Sequence, residues 1–427
     1  MVNYNMVRNS TGQLRFNFVV NVLDGSFFGA ALGFASFVTV IPLFVSNFTE
    51  SATLIGLIPA IHTVGWQLPQ IVTASKVTRL SRVKPMVLFM TVQERLPFLG
   101  LAALAWFSPH LTARIVLILT YILLVWQGFG GGLTATAWQS LIAKIIPIRL
   151  LGTFYGVQSA AGNLLASVGS VLAGLILMAK SSPVDFTLCF LLAGVSMFIS
   201  LAFLAATREE ETTAEEGQAR SGSYREHLKS ILKEDRNFRW FILARMSTQF
   251  STMGFAFFTV YAVREFGVPE FIAGILTGLL MGTQVTANPL LGWLGDRRGH
   301  LRAFQLGVLA ATISTLLAWI ANDAQWFYPI FILAGIANVA GWTAPMAMTV
   351  DFSRNSDLPA YIGLANTLIA PSSFLAPVIG GWLADLAGFK LTFLTSTITG
   401  LLTLLILYFG VSDPRESLKV ESERTAT

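Results

Sequence analysis

The sequence predicts an all-α membrane protein of twelve transmembrane helices arranged as two pseudo-symmetric six-helix bundles. Three observations predict it. Only 12% of the 427 residues are charged while 54% are hydrophobic, and the mean hydropathy is +0.65; soluble domains carry about 25% charged residues, so half that could not cover the surface of a soluble chain this long. Apolar stretches of about twenty residues, enough to cross the hydrocarbon at about 1.5 Å per residue, recur along the chain. One long polar segment, 207–238, divides them six and six. The formal net charge of +5 is topological, because the basic residues gather between spans on alternate sides, and no nucleic-acid partner is expected.

The spans fall near 16–45, 51–74, 85–107, 112–143, 150–179, 184–206, 239–263, 269–294, 302–321, 326–350, 360–386 and 390–411. The first exceeds the apolar core of a signal peptide and is interrupted by Asp24, so it reads as a first transmembrane helix rather than a cleaved leader. Lys and Arg collect in the tails and in every second loop, while the opposite side holds only Arg114, Lys180, Arg264 and Lys390; both termini are therefore expected in the cytoplasm. The organisation that follows is an N-terminal bundle over 1–206, a cytoplasmic linker over 207–238, a C-terminal bundle over 239–411 and a cytoplasmic tail over 412–427. Within the linker, Tyr224, Leu228, Ile231 and Leu232 recur at helical spacing among Arg225, Lys229 and Lys233, which reads as an amphipathic helix on the cytoplasmic leaflet. An internal repeat relates the halves: Leu151 to Ala173 can be laid on Ile362 to Ala384 at an offset of about 211, pairing Gly152 with Gly363 and Gly169 with Gly380.

Between spans 8 and 9 lies a sudden knot of charge, Pro289 to Arg302, with Asp296, Arg297, Arg298 and Arg302 among the glycines Gly292, Gly295 and Gly299. The pattern Gly292-x-Leu294-x-Asp296-Arg297-x-Gly299 resembles the signature loop of the major facilitator superfamily, and with the six-plus-six count that resemblance covers about residues 14–411. It implies two six-helix bundles that alternate access to a central site, with spans 1, 4, 7 and 10 lining the cavity. It implies that Asp296 helps to lock the cytoplasmic side, with Arg297 and Arg298 at the membrane surface. The corresponding first-half loop, 74–84, keeps the positive charges but has neither the acid nor the glycines, so the latch is expected to be asymmetric.

Four ionisable residues lie inside spans: Asp24 in span 1, Glu94 and Arg95 in span 3, and Arg245 in span 7. Each costs roughly 2.5–3.5 kcal/mol to insert, which marks them as functional candidates. All enter from the cytoplasmic side and sit about six to ten residues deep, or roughly 9–15 Å. The resemblance places Asp24 and Arg245 facing each other across the halves, with Asp24 a candidate proton carrier; Glu94 and Arg95, adjacent and so about 100° apart on the helix, are each expected to hold a neighbouring span. Substrate contacts are expected from amides and aromatic rings: Asn17, Asn21, Trp126, Gln127, Trp138, Gln139, Gln249, Asn338 and Trp342 on cavity helices, with His62, Trp66, Gln158, Asn163 and Gln284 on the bordering spans. His62 could also shuttle protons.

The chemistry excluded is as informative. There is no G-x-x-x-x-G-K-[ST] loop, no metal-ligand spacing among the four histidines and no disulfide framework around the single Cys189; neither an enzyme nor a cofactor or metal is expected. The sequence therefore reads as a monomeric secondary transporter of a small molecule, proton-coupled, in a bacterial inner membrane where its short loops place it. The alternatives are a non-transporting sensor or scaffold on the same fold, or a drug or lipid exporter, although span 5 lacks the G-P-x-x-G-G stretch of proton-linked drug exporters of the superfamily and reads Leu165 to Ser170 as Leu-Ala-Ser-Val-Gly-Ser.

Overall fold

A computed structural model describes residues 4–67, 69, 80–179, 183–209, 231–353 and 358–414. Among them fourteen α-helices follow in order: α1 (Tyr4–Phe34), α2 (Val40–Ser46), α3 (Ala52–Gln67), α4 (Lys84–Phe107), α5 (Ala113–Ile145), α6 (Ile148–Ala179), α7 (Val184–Ala206), α8 (Arg236–Ser251), α9 (Phe258–Phe266), α10 (Glu270–Arg298), α11 (His300–Ile320), α12 (Phe327–Ser353), α13 (Leu358–Ala387) and α14 (Phe389–Phe409). Ten of the helical stretches among the described residues are long and apolar enough to cross a membrane. The chain is an integral membrane protein.

The other two expected spans show why the count by length stops at ten. Span 2 is described as a helix only to Gln67, and span 7 is broken: α8 ends at Ser251, a single 3-10 turn covers Met253–Phe257, and α9 resumes at Phe258. The break is made locally. Thr252 Oγ1 bonds the carbonyls of Thr248 and Gln249 at 3.2 Å and Ser251 Oγ that of Thr248 at 2.8 Å, giving the backbone an alternative to the helix ladder. Span 1 is interrupted in the corresponding place, where Ser36 Oγ accepts from the amides of Val38 and Thr39 between α1 and α2.

The chain forms two compact units: residues 1–50, 61–218 and 268–285 make the first, and 51–60, 219–267 and 286–427 the second. The division differs from the one read along the sequence, because 268–285 joins the first unit and 51–60 the second. In the first unit α1 lies close along α6 through Gly25, Gly29 and Gly33. A Cβ on Gly29 would strike the carbonyl oxygen of Gly162 and one on Gly33 that of Ala166, so the small residues permit backbone contact that a side chain would forbid. The opening residues of α10 join this unit in the same way, Gly274 lying against Gly174.

The second unit fills its core with rings. Phe238, Phe241, Phe304 and Phe352 pack together near the basic end, and the end of the linker joins them through Ile231 and Leu232. Of the expected amphipathic helix only 231–234 is described and helical; Tyr224 and Leu228 lie outside the described residues. Residues 51–60 are bound into this unit by Asp385, whose carboxylate accepts from the Ala52 amide at 2.5 Å, the Thr53 amide at 2.9 Å and Ser51 Oγ at 3.0 Å. The acid caps the first turn of α3 and satisfies donors a helix start leaves orphaned. One pair from the repeat has equivalent surroundings: Gly169 lies against Ala30 and Gly33 of span 1, and Gly380 against Met253 and Phe257 of span 7. Each packs on the first span of its own half.

Candidate functional site

A cavity of about 320 Å³ opens inside the first unit between α1, α4, α5 and α6, lined by Asp24, Glu94, Arg95, Trp66, Trp138, Gln139, Gln158 and Asn163. Asp24, Glu94 and Arg95 are 5%, 7% and 2% exposed. Arg95 is held on every side: its Nη2 lies 3.4 Å from Asp24 Oδ1 and 2.9 Å from Ser200 Oγ, its Nε donates to the Met197 carbonyl at 3.0 Å, and its Nη1 bonds Thr91, one turn back on α4. Ser200 completes the ring by donating to Asp24 Oδ1 at 2.6 Å. Three helices, α1, α4 and α7, are thus tied by one ion pair and one hydroxyl, with the guanidinium 5.7 Å from the centre of the Phe28 ring. A buried pair of this kind is costly to break, because either partner alone would be a buried unpaired charge.

Glu94 stands apart from that ring. Its carboxylate meets Arg95 Nη1 at 3.9 Å, with no hydrogen bond among the described residues, and it faces the cavity beside Gly131. A Cβ on Gly131 would come within 2.8 Å of Glu94 Oε1, so the glycine run of α5 makes the room in which this acid sits. Two carboxylates share one guanidinium, and the guanidinium is already engaged by Asp24. When both acids are ionised the cavity wall carries one surplus negative charge.

Within the first unit the partner of Asp24 is Arg95; in the second, Arg245 sits half-buried on α8 with its guanidinium 5.7 Å from the Phe241 ring. Asn21, fully buried, donates to Asn17 O at 2.8 Å and Thr207 Oγ1 at 3.0 Å, and Gln158 Nε2 donates to Asn21 O at 2.7 Å. Asn21 thus ties α1 to the end of α7 rather than lining the cavity. Trp126 is 39% exposed and spends its indole N–H on Gln93 Oε1 at 3.0 Å.

His62 and Gln127 form a second polar group in this unit, 3.0 Å apart through Nδ1 and Oε1, with the imidazole stacked on Phe37. Gln127 Nε2 is buried without a partner among the described residues, a donor suited to a water or a ligand. The remaining candidates are dispersed. Gln249 is half-buried on α8, Asn338 and Trp342 are exposed on α12, and Gln284 reaches Met281 Sδ at 3.8 Å. Arg297 and Arg298 are exposed in the last turn of α10, the first lying 4.9 Å above the Trp293 ring; the Asp296 side chain lies outside the described residues.

Ser200 and Thr91 were not anticipated, although Thr91 is the one hydroxyl of its apolar span and Ser200 is one of few in its own. Nor was a clasp at the basic end of the first unit. Glu209, just past α7, accepts from the amides of Val83 and Lys84 and from Lys144 Nζ, each at 2.8 Å, and Lys84 Nζ donates to Thr207 O at 2.8 Å. Asn17 grips the next residue, accepting from the Arg208 amide at 2.9 Å and donating to its carbonyl at 2.8 Å. Burial pushes the Glu209 carboxyl up, but the bonds from Lys144 and the two amides outweigh it and hold the group below its ordinary value. The end of the first-half loop is thus tied to the start of the linker through the Val83 and Lys84 amides and Lys84 Nζ.

The sequence profile of the Major Facilitator Superfamily matches residues 23–262 and 241–427. Among curated relatives, the class H tetracycline resistance protein of Pasteurella multocida is 28% identical over 147 residues, 34% of this chain and 36% of that protein. A multidrug resistance protein B homolog of Mycobacterium tuberculosis is 29% identical over 149 residues, 34% of this chain and 27% of that protein. The matches thus span about a third of these relatives' length. Among solved structures, a D-xylose-proton symporter superposes with a TM-score of 0.68 at 17% identity, covering 94% of this chain and 99% of its own. A bacterial homolog of the human lysosomal transporter Spinster, in an inward-facing and unoccupied conformation, gives 0.70 at 14% identity, covering 96% and 98%. At such identities the likeness shows the fold.

Proposed function

The chain belongs to the Major Facilitator Superfamily, and from that premise we propose that it is a secondary transporter that moves a small amphipathic molecule by alternating access, coupled to protons through Glu94. One observation carries the reading: Glu94 is a second buried carboxylate beside a guanidinium that Asp24 already neutralises, and it faces the cavity. A proton on Glu94 removes the surplus charge of the cavity wall. A cationic or donor-bearing cargo does the same electrostatic work, so proton and cargo compete for one carboxylate, which is the linkage that exchange requires. Trp66 and Trp138 offer apolar faces to the body of such a molecule, and Gln139, Gln158 and Asn163 offer amides to its polar groups. The names of the curated relatives, resistance proteins for tetracycline and for multiple drugs, agree with an amphipathic cargo; that of the xylose-proton symporter agrees with proton coupling on this fold. On this reading both termini lie in the cytoplasm of a bacterial inner membrane, which the distribution of Lys and Arg between alternate loops supports, and the protein works as a monomer.

The test is flux in proteoliposomes across an imposed pH gradient, with tetracycline, ethidium and xylose as probes. The expected result is gradient-driven movement of at least one probe, and loss of the gradient dependence in Glu94→Gln while the variant melts at the wild-type temperature and still binds. Gradient dependence that survives Glu94→Gln removes the assigned role. Absence of flux for all probes under every gradient favours the non-transporting sensor.

A further inference from the structure

At the basic end of the second unit a groove of about 740 Å³ runs between α11 and α14, reaching the last turns of α10. Its walls are Leu306, Leu309, Leu401 and Leu405, each at least two-fifths exposed, and its mouth holds Arg298 and Arg302. The two walls are firmly joined: Gln305 Nε2 donates to the Leu407 carbonyl at 3.3 Å, and Gly400 of α14 lies so close to Thr312 of α11 that a Cβ there would collide. Leu309 follows Arg302 by seven residues and Leu401 precedes Tyr408 by seven, so the groove runs about 10 Å along the helices away from the arginines.

Apolar exposure alone says nothing in a chain whose whole belt faces lipid. The arginines do. Arg298 and Arg302 are exposed and make no ion pair or hydrogen bond with any described residue, whereas their neighbour Arg297 rests on Trp293. Two free guanidiniums present planar donor forks suited to phosphate oxygens, and they stand at the one end of an apolar trough. A soluble anion would use the arginines and leave the trough empty. An apolar helix or a second copy of this chain would fill the trough and press against uncompensated charge. A single molecule that is anionic at one end and a hydrocarbon chain at the other satisfies both.

We propose that this groove is a binding site for an anionic phospholipid, with its phosphate on Arg298 and Arg302 and one acyl chain along Leu306, Leu309, Leu401 and Leu405. Basic pockets between membrane helices at the cytoplasmic side hold acidic headgroups by this logic. The site is independent of the cavity and of proton coupling.

The experiment exposes delipidated full-length protein to equal concentrations of phosphatidylglycerol or phosphatidylethanolamine and reads retained lipid by native mass spectrometry and the melting temperature alongside. The expected result is preferential retention of phosphatidylglycerol, reduced about fivefold for each arginine lost in Arg298→Gln and Arg302→Gln, the ratio set by about 1 kcal/mol per basic residue. Leu306→Trp, which keeps the arginines and fills the trough, should release the lipid as well, and Arg297→Gln should retain it. Undiminished preference in the double arginine variant overturns the proposal. So does a melting-temperature rise with inorganic phosphate equal to that with lipid and untouched by Leu306→Trp, which would mark a free-anion site. A dimer lost in Leu306→Trp would assign the groove to a second copy, and lipid binding that appears only after deletion of 415–427 would assign it to the tail; either overturns the proposal.

Discussion

The first unit buries Asp24, Glu94 and Arg95 side by side among α1, α4 and α7, while in the second unit Arg245 lies against a phenyl ring with no ion pair among the described residues. The second unit spends its interior on Phe238, Phe241, Phe304 and Phe352 and on neutral hydroxyl pairs such as Ser247 with Thr403 at 2.6 Å and Thr315 with Thr397 at 3.0 Å. Both units are built on helices that repeat, down to the broken first span of each half. Duplicating the backbone plan has therefore not duplicated the chemistry: one half carries ionisable groups that can change charge, and the other gives a rigid apolar frame whose charges lie at its ends. The difference teaches that the described ionisable groups of the second unit gather toward helix ends, as His300 and Asp351 do at 4.0 Å, while those of the first unit meet in its interior.

The sharpest way to break this comparison is to remove the guanidinium in each unit. Arg95→Met leaves Asp24 and Glu94 buried and uncompensated and should cost about 3–5 kcal/mol, read as a large fall in melting temperature in detergent. Arg245→Met removes a ring contact worth about 1 kcal/mol and should shift melting by much less. Equal losses would mean that the second unit holds a charge network as demanding as the first.

Close backbone approach gives the next contrast. Gly29→Ala sets a methyl against the Gly162 carbonyl and should cost about 1–3 kcal/mol, as overpacking does. Gly341→Ala on α12 meets nothing within 4 Å and should be neutral or stabilising by up to about 1 kcal/mol, from helix propensity.

At the basic end, Glu209→Gln should cost about 1–2 kcal/mol by weakening charge-assisted bonds. Because the Glu209 carboxyl is held below its ordinary value, the folded state binds its proton less readily than the unfolded chain does. Its contribution is therefore fully present above the ordinary carboxylate value and disappears as pH falls through the lowered one. Wild type and Glu209→Gln should differ in melting temperature at neutral pH and converge in acid; a constant gap would remove the charge-based account. The smallest contrast is between hydroxyls. Ser200→Ala breaks bonds to a carboxylate and a guanidinium and should cost about 1.5 kcal/mol, against about 0.5 kcal/mol for Thr403→Ala, whose partner Ser247 is neutral.

Most of the helices were legible because hydrocarbon leaves a backbone few options: every polar main-chain group must be bonded within its own segment. The interruptions at 35–39 and 252–257 were not, because Ser36, Ser251 and Thr252 compete with the ladder only when their hydroxyls find a local carbonyl or amide. Residues 268–285 and 51–60 were read into halves by position along the chain, whereas the compact units follow the glycine contact of Gly274 and the cap at Asp385. In the site, Asp24, Glu94, Arg95, Trp138, Gln139, Gln158 and Asn163 were found from polarity inside apolar spans. Trp126 and Asn21 look equally suitable in the sequence and are turned to other work, since polarity does not tell which way a helix faces.

Composition and periodicity alone determined that this chain spans a membrane with paired sets of helices and that its costliest residues are Asp24, Glu94, Arg95 and Arg245, because the price of a charge in hydrocarbon depends on depth and depth is counted along the chain. Which charge meets which was decided by tertiary structure. The rotation of α1 against α6 is fixed where Gly29 and Gly33 admit a neighbouring backbone and Gly25 the Gln158 side chain, and that rotation brings Asp24 to Arg95 and Ser200. With the guanidinium engaged there, Glu94 is left as the lining acid without a hydrogen bond among the described residues. Linear spacing sets the level of a side chain in the membrane, but helix packing sets its azimuth, and ion pairing needs both.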